Sequence, residues 1–395
     1  MTGPLSGFTV VEMAGIGPGP FCAMMLADMG ADVIRIDRLT PGFLGGGGTI
    51  IDRGRRTIAL DIKKPGAIDI VLRLLGKADA MLEGFRPGVM ERLGLGPDAC
   101  MARNPRLVYA RMTGWGQQGP LAQAAGHDLN YIAITGALHA MGYSDRPPTP
   151  PLHLVGDMGG GAMMLAFGIV CALLETGRTG QGQVVDAAIC DGASLLASAY
   201  HGRLQRGEWT TQRHANMLDG GAHFYGCYVC ADGKYVSIAA IEPQFYRVLL
   251  DRCGIDDPDF EPQWARAQCP LLRVKLATSL RARPVINGPP CCRAPTPAWP
   301  QCSTSRKRRI THTTRRAGTS LKPVASSIPR RHLAFRARPE APARCPYPAS
   351  TPMNCSENWA WTMPRSRPCE NMAPSFDSAG FDPRSPLSGH DGSSE

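Results

Sequence analysis

The sequence predicts an α/β protein with two folded parts and a tail, and three observations support this. Short apolar runs alternate with segments of helical spacing from residue 8 to about residue 200, which is typical of a parallel sheet with helices on both faces. A hairpin pattern and an amphipathic segment begin near residue 222. After residue 280 the composition changes abruptly, and 18 of the 35 prolines follow.

The elements of the large part can be placed in order from their apolar periodicity. Strands are predicted at Phe8–Glu12, Val33–Asp37, Arg56–Asp61, Ala80–Glu83, Leu107–Met112 and Gln183–Ala187. Helices are predicted at Pro20–Met29 and Ala67–Lys77, with others beginning near His127, Asp157 and Asp191. This order predicts a Rossmann-like parallel sheet.

The smaller α+β part begins after a polar segment. Strands are predicted at Phe224–Cys230 and Tyr235–Ala239, joined by the turn Ala231-Asp232-Gly233, and a helix is predicted at Pro243–Arg252. We therefore predict a large domain over residues 1–206, a linker over 207–221, the start of a small domain over 222–280 and a tail over 281–395.

The tail accounts for the net charge of +10. It contains 18 of the 43 basic and 7 of the 33 acidic residues, which leaves 25 basic and 26 acidic residues in the body. The near-neutral body argues against a nucleic-acid-binding surface. The longest apolar run, Met158–Leu174, is shorter than the roughly 20 residues of a membrane span, and we expect a buried helix there. No secretory leader pattern is found, so we expect reduced cysteines and a cytoplasmic protein.

Several residues are candidates for chemistry. Arg38 and Arg86 each follow a predicted strand, at the sheet edge where α/β proteins bind ligands, and Lys63 follows another. His127 precedes a helical segment, where the positive end of the helix dipole favours a neutral imidazole. Asp157 lies in Gly156-Asp157-Met158-Gly159-Gly160-Gly161, where three residues with little or no side chain allow a substrate to approach closely, although an N-cap role explains Asp157 equally well.

Two further features have simple structural explanations. Gly15-Ile16-Gly17-Pro18-Gly19 lacks the spacing of a dinucleotide loop, which favours a tight strand-to-helix turn. Glu242 precedes Pro243 at the start of a predicted helix and is expected to occupy its N-terminal cap.

Segments spread over residues 5 to 280 nevertheless resemble one family. These segments are Gly17–Ala23, Leu26–Ala31, Arg86–Leu93, Gly126–Tyr131, Leu218–Ala222 and Ile241–Tyr246. Together they are similar to α-methylacyl-CoA racemases, within the family III CoA-transferase superfamily. One departure is His223, where that family usually has proline.

The resemblance implies that His127 and Asp157 are the two acid/base groups, with Glu242 beside them in a site assembled between two subunits of an interlocked homodimer. It also implies that Arg38, Ala59, Leu60 and Arg86 hold the CoA part of the substrate. We place Lys63 and Gly126 in the same binding surface.

The implied reaction is epimerisation of a 2-methylacyl-CoA thioester through an enolate, without a metal or another cofactor. Two bases are needed because one face of the carbon loses a proton while the other gains one. We expect helix N-terminal amides around Asp157 to Gly160 to stabilise the enolate oxygen. Two alternatives remain: a CoA-transferase in which Asp157 is the nucleophile, and an inactive CoA-binding remnant.

Three interpretations of residues 281–395 compete: a basic nucleic-acid-binding tail, a disordered appendage and the product of a frameshift. Eight Ile, Leu and Val residues in this tail are too few to offset its ordering entropy. Reading a GC-rich back-translation of Arg281–Lys307 from its third base gives a string that resembles the racemases' next segment. We therefore favour a frameshift, and expect low activity and poor solubility.

Overall fold

The computed structural model describes residues 3–40 and 50–283. The predictions made for residues 284–395 lie outside the described residues. Six strands form the main sheet, at β1 Thr9–Met13, β2 Asp32–Asp37, β3 Arg55–Ala59, β4 Ala80–Glu83, β5 Val108–Thr113 and β6 Val184–Ala188. All six were predicted to within one or two residues.

The strand order is β3-β2-β1-β4-β5-β6, and every neighbouring pair is parallel. Successive strands are therefore added on one side of β1 up to β3 and on its other side from β4 onward, so the strand order reverses between β1 and β4. Ligands of open parallel sheets bind in the crevice at the carboxyl ends of the strands, at such a switch point. The predicted α/β, Rossmann-like architecture is confirmed.

Helices cover both faces of the sheet. Ten α-helices lie in the described residues, at α1 Pro18–Asp28, α2 Ala67–Leu75, α3 Val89–Arg92, α4 Pro97–Arg103, α5 Asp128–Ile134, α6 Met164–Thr179, α7 Ile189–Leu196, α8 Ser198–Gln205, α9 Pro243–Cys253 and α10 Cys269–Arg281. On one face Leu26 of α1 and Ile169 of α6 belong to the same buried core as Val108 of β5. On the other, Val71 and Leu75 of α2 form the core.

Strand β1 carries a buried charge that its apolar neighbours did not indicate. Both carboxylate oxygens of Glu12 accept from Nη1 of Arg55 at 2.7 Å, and both side chains are almost completely buried. Burial raises the pKa of Glu12, and Arg55 opposes that rise. Since an unpaired buried charge is costly, this pair fixes the position of β3 relative to β1 across β2.

The apolar run at Met158–Leu174 is part of a longer helix than predicted. A π-helix at Leu154–Met163 continues directly into α6, so the helical stretch Leu154–Thr179 is 26 residues long and apolar enough to span a membrane by length and composition. The expected buried helix is only half correct, because Phe167 and Leu174 are exposed. Its other face packs into the core of the sheet through Leu165 and Ile169.

The second sheet has two antiparallel strands, β7 Tyr225–Val229 and β8 Tyr235–Ala239. Phe224, Tyr246, Leu249 and Leu272 form a separate core with it, to which α9 and α10 contribute. Helix α10 was not predicted from the sequence. The predicted domain boundaries remain a prediction.

His223, the departure from the family pattern, is accommodated inside this second core. Its ring is completely buried, and Nε2 lies 2.7 Å from the hydroxyl of Tyr246. That hydroxyl donates to the carbonyl of Phe260 at 2.9 Å, so Nε2 of His223 is the donor to Tyr246. Burial lowers the pKa of His223 to about 4, with a smaller contribution from the charge of Arg273. The imidazole is therefore neutral at pH 7.

Candidate active site

Asp157 lies at the switch point of the sheet. It belongs to the π-helix Leu154–Met163, whose backbone packs closely on α7. A Cβ atom built on Gly192 of α7 would lie 1.9 Å from the carbonyl oxygen of Gly160, so both helices need glycine where they cross. π-Helical segments within longer helices are rare and often occur at functional sites. The close crossing holds the Asp157 backbone in place.

The Asp157 carboxylate lies against the loop between β1 and α1. Gly17 caps the N-terminus of α1 with a φ of +66°, a conformation that favours glycine. A Cβ atom at Gly17 would lie 3.0 Å from Oδ2 of Asp157. The loop is the predicted strand-to-helix turn, and its glycine leaves room for the carboxylate at the positive end of the α1 dipole.

His127 occupies the N-terminal cap of α5, as predicted. Its backbone N–H donates to Oδ1 of Asn130 at 3.1 Å, and its carbonyl accepts from the Asn130 N–H at 2.8 Å. The imidazole is exposed. The next residue, Asp128, is buried and accepts the backbone N–H of Asp157 through Oδ1 at 2.6 Å. This bond connects the segment that carries the imidazole to the segment that carries the carboxylate.

The electrostatic surroundings of Asp157 favour proton exchange near neutral pH. Its pKa is raised to about 6, chiefly by burial and then by the negative charge of Asp128. The charges of His153 and His127 act in the opposite direction. A base is most effective when its pKa lies near the working pH. Asp157 is therefore suited both to accept and to return a proton.

Two aromatic side chains, Tyr131 and Trp115, lie beside His127 and Asp157. Tyr131 donates its hydroxyl to the carbonyl of Gly126 and packs edge-on against Trp115, with ring centroids 4.7 Å apart. A Cβ atom at Gly126 would lie 2.8 Å from the Tyr131 ring, which explains the glycine there. The pKa of Tyr131 is raised by burial and by the charge of Asp157, and Arg86 opposes this. Tyr131 therefore lies within electrostatic range of both Asp157 and Arg86.

A cleft of about 650 Å³ opens at the carboxyl ends of β2 and β3. It brings together the predicted CoA-binding residues Arg38, Leu60 and Lys63, and it is also lined by Phe85 and Arg92. Arg38 and Lys63 are exposed. Arginine and lysine at the edge of an apolar cleft suit a phosphate-bearing ligand with a flat ring.

The other three predicted binding residues do not line this cleft. Ala59 ends β3 opposite Asp37. Arg86 directly follows Phe85 and is exposed. Gly126, next to His127 in the chain, packs against the rings of Tyr131 and Trp115. The roles of all three in binding CoA remain predictions.

Glu242 is not brought into contact with the other two acid/base candidates. It occupies the N-terminal cap position of α9, as expected, but its exposed side chain makes no capping hydrogen bond. Within residues 3–40 and 50–283, no hydrogen bond or ion pair joins it to His127 or Asp157. Its catalytic role remains a prediction that depends on a second subunit.

One expectation about Asp157 is wrong, and a second is narrowed. Asp157 is not an N-cap, because it is the fourth residue of a helix that starts at Leu154. Of the amides from Asp157 to Gly160 that were expected to bind an enolate oxygen, the first two already have acceptors, and a role for the others stays a prediction. The N–H of Asp157 donates to Asp128, and that of Met158 donates to the carbonyl of His153 at 3.1 Å.

The sequence reasoning also missed residues that shape the site. Asp128 stands within the quoted Gly126–Tyr131 motif, and only its burial shows that it fixes the Asp157 backbone. Tyr131 belongs to the same motif. Arg92 lies in the quoted Arg86–Leu93 motif, one helical turn beyond Gly88, and this spacing could have placed it at the cleft.

The chain is similar to several known proteins. The model of CoA-transferase family III matches residues 5–285. The chain is 44% identical over 273 residues to the alpha-methylacyl-CoA racemases of mouse and human, covering 69% of this chain and 71% of each relative. It is 32% identical to succinyl-CoA–D-citramalate CoA-transferase of Chloroflexus aurantiacus, covering 67% of this chain and 68% of that protein.

Solved structures show the same fold. A CAIB/BAIF family protein from Brucella suis superposes with a TM-score of 0.67 at 26% sequence identity, covering 82% of this chain and 90% of that one. The match of the family model over most of the chain and the 44% identity to the racemases agree with the resemblance found in the sequence. This chain therefore belongs to CoA-transferase family III.

Proposed function

We propose that this protein is an isomerase that interconverts the R and S forms of 2-methylacyl-CoA thioesters. The observation that supports this most is the pairing of His127 with Asp157. Their segments are joined by the bond from Asp157 N–H to Asp128, and the charge of His127 acts on the pKa of Asp157. The 44% identity to alpha-methylacyl-CoA racemases is consistent with it.

Two proton carriers satisfy the stereochemical requirement. One removes the α-proton from one face of the carbon, and the other delivers a proton to the opposite face. We assign His127 as the base for one epimer and Asp157 as the base for the other. The raised pKa of Asp157, about 6, increases the fraction of Asp157 that carries a proton to deliver near neutral pH.

The negatively charged enolate oxygen must be stabilised by the positive end of a dipole. Because the amides of Asp157 and Met158 are occupied, we assign this role to the N-terminus of α1, which Gly17 caps beside the Asp157 carboxylate. The thioester carbonyl itself acidifies the α-proton, so the proposed reaction uses no metal or other cofactor. The CoA part of the substrate would lie in the cleft lined by Arg38 and Lys63, on the same edge of the sheet.

A CoA-transferase is the second candidate, because the chain also resembles succinyl-CoA–D-citramalate CoA-transferase. In that reaction the ionised Asp157 attacks the thioester carbonyl, the C–S bond breaks, CoA leaves as the thiolate and a mixed anhydride forms. His127 distinguishes the two proposals, since an imidazole beside the carboxylate is needed for two-base epimerisation and not for anhydride formation.

We also propose that the enzyme is a homodimer in the cytoplasm. Large apolar side chains are exposed on α6 and on α7, including Phe167 and Leu174 on α6 and Leu195 and Leu196 on α7. Exposed apolar patches of this kind mark interaction surfaces. A second subunit packed there would cover them and could supply Glu242. Analytical ultracentrifugation would test the dimer, and a monomer at micromolar concentration would refute it.

The reaction is tested by incubating (2R)-2-methylacyl-CoA in deuterated water. We expect deuterium at the α-carbon and formation of the S epimer without an acceptor acid. Acyl transfer to an added carboxylic acid without α-exchange would favour the transferase. Tight CoA binding with neither reaction would identify an inactive CoA-binding protein.

Base assignments are tested by the Asp157→Asn and His127→Gln variants. Each variant should lose epimerisation but retain exchange of the α-proton of one epimer, and the retained epimer should differ between the two. If either variant epimerises at the original rate, the two-base mechanism is wrong.

The proposal of a frameshift in the tail is tested separately. Resequencing the gene around codon 280 and peptide mass spectrometry of the natural protein would show which frame is translated. We expect the frame-corrected chain to be more soluble and more active than the present one. Equal solubility and activity of the two chains would refute this.

A further inference from the structure

A second cavity, distinct from the cleft at the sheet edge, carries an unbalanced positive charge. It has a volume of about 680 Å³ and shares no lining residue with the cleft. Three arginines line it: Arg203 of α8, Arg266 in the segment before α10, and Arg273 of α10. One carboxylate, that of Glu208, also lines it. Both oxygens of that carboxylate are already bonded to Arg206, at 2.8 and 2.9 Å.

Arg273 and Arg266 are held by neutral groups. Arg273 donates to the carbonyl of Ala222 at 2.7 Å, and its guanidinium lies 5.4 Å from the centre of the Tyr228 ring. Arg266 donates to the side-chain oxygen of Asn216 at 2.8 Å. In the described part of the chain, Arg203, Arg266 and Arg273 form no ion pair with a carboxylate. Like charges that converge in a cavity repel one another unless an anion joins them.

Nearby titratable groups do not neutralise the positive charge of the three arginines. His214 lines the cavity, and its pKa is lowered by burial and then by the charge of Arg273. Asp219 and Asp145 oppose that shift. Asp219 accepts from the backbone N–H groups of Asn216 and Gly221, and Asp145 is paired with Arg146. Neither aspartate lines the cavity.

The cavity also offers an aromatic surface. Trp264 packs its ring edge-on against Phe224, with centroids 5.0 Å apart, and about half of the side chain is exposed. Tryptophan next to arginine can stack a flat ring while the guanidiniums bind charged oxygens. The volume lies within the range of about 300–1,000 Å³ that small-molecule sites occupy.

We propose that this cavity is a second ligand site, for a small anion of the nucleoside diphosphate class, with its phosphates on Arg203 and Arg273 and its ring on Trp264. The site is separate from the proposed acyl-CoA site and does not depend on the proposed isomerase activity. Because the cavity is formed by α8, the 207–221 segment and α10, ligand binding would tie these segments together.

The test is titration of the full chain with ADP and with inorganic pyrophosphate, followed by tryptophan fluorescence and by calorimetry. We expect saturable ADP binding that quenches emission, a quench that Trp264→Phe removes, and affinity that falls as salt rises. Arg203→Gln should raise the Kd about tenfold or more. Arg178→Gln, which removes the same charge from an exposed site on α6, should not change it.

A second pair of variants separates this site from the cleft. Arg38→Gln should leave the Trp264 quench unchanged, and Arg273→Gln should weaken it whenever the variant retains a wild-type circular dichroism spectrum. The proposal is overturned if neither probe binds saturably at 0.1 M salt, or if Arg203→Gln binds ADP as tightly as the unaltered chain. If Arg38→Gln abolishes the fluorescence quench, the signal comes from ADP bound in the cleft, and the proposal is also overturned.

Discussion

Replacing Asp128 by asparagine should lower the pKa of Asp157. The side chain keeps the oxygen that accepts the Asp157 N–H at 2.6 Å, but it loses the negative charge that contributes to raising this pKa. Burial is the larger cause and remains, so Asp157 should stay above its ordinary value of 3.8. From a starting value of about 6, we expect a fall on the order of one pH unit.

Two assays measure this shift. The first is the pH dependence of kcat/KM for epimerisation, measured separately in each direction. Where Asp157 is the base it must be ionised, so the acid limb should move to lower pH. Where Asp157 delivers the proton it must be protonated, so the alkaline limb should move in the same direction. The second assay is the carboxyl ¹³C titration of Asp157, assigned with Asp157→Asn, which requires no activity.

The matched control is Asp69→Asn, which removes one negative charge from the first turn of α2. It should leave both pH profiles unchanged. If Asp128→Asn leaves the Asp157 titration within 0.2 units of the original value, where a full unit corresponds to about 1.4 kcal/mol, the proposed coupling between the two carboxylates is wrong. Movement of the two limbs in opposite directions would refute the assignment of both limbs to one group.

Three further predictions concern stability. Gly192→Ala should destabilise the fold by about 2 kcal/mol or more in urea unfolding, because its Cβ would lie 1.9 Å from a carbonyl oxygen. Gly17→Ala should cost about 1 kcal/mol or more and slow α-exchange, because its φ is +66° and its Cβ would approach the Asp157 carboxylate. His223 has a lowered pKa of about 4, so the stability it contributes is present above pH 6.5 and is lost as pH falls toward 4. His223→Phe should remove this loss, which is roughly 3 kcal/mol at most.

Controls accompany these variants. Gly177→Ala in α6 has open space around its Cβ and should stabilise the helix by up to about 1 kcal/mol. A Gly192→Ala chain as stable as the unaltered one would mean that the helices cross less closely than described. The prediction for Gly17→Ala would be wrong if this variant exchanged the α-proton at the original rate and was as stable as the unaltered chain. For His223→Phe, the contrary result is a Tm that still falls between pH 6.5 and 4 as steeply as before.

Much of the fold could be predicted from local pattern. The six strands are apolar runs that end at turn residues, and the helix that follows Gly17 begins at Pro18, a residue favoured at the first helical position. Helix α10 was missed because its buried residues, such as Leu272 and Leu276, are separated by basic residues in a segment next to the tail. Its core contacts come from strands more than 30 residues away, and local periodicity does not show them.

The site was predicted less completely. His127 and Asp157 were found as single residues with suitable chemistry, and the structure adds Asp128 as the link between them. The sequence could not show that the Asp157 amide is occupied, because the acceptor lies 29 positions away. Glu12 gave a similar difficulty: it appears as the polar end of an apolar strand, yet its partner Arg55 is 43 positions distant.

The π-helix at Leu154–Met163 makes this part of the chain sensitive to changes in length. A regular α-helix turns by about 100° per residue, so deleting one residue between Asp157 and Met163 would rotate everything on one side of the cut relative to the other. Either the Asp157 carboxylate would leave the Gly17 loop, or α6 would turn its core face outward. A deletion scan should therefore find this stretch far less tolerant than the turn at Asp232-Gly233, although both lie in the same polypeptide and neither deletion removes a charged catalytic group.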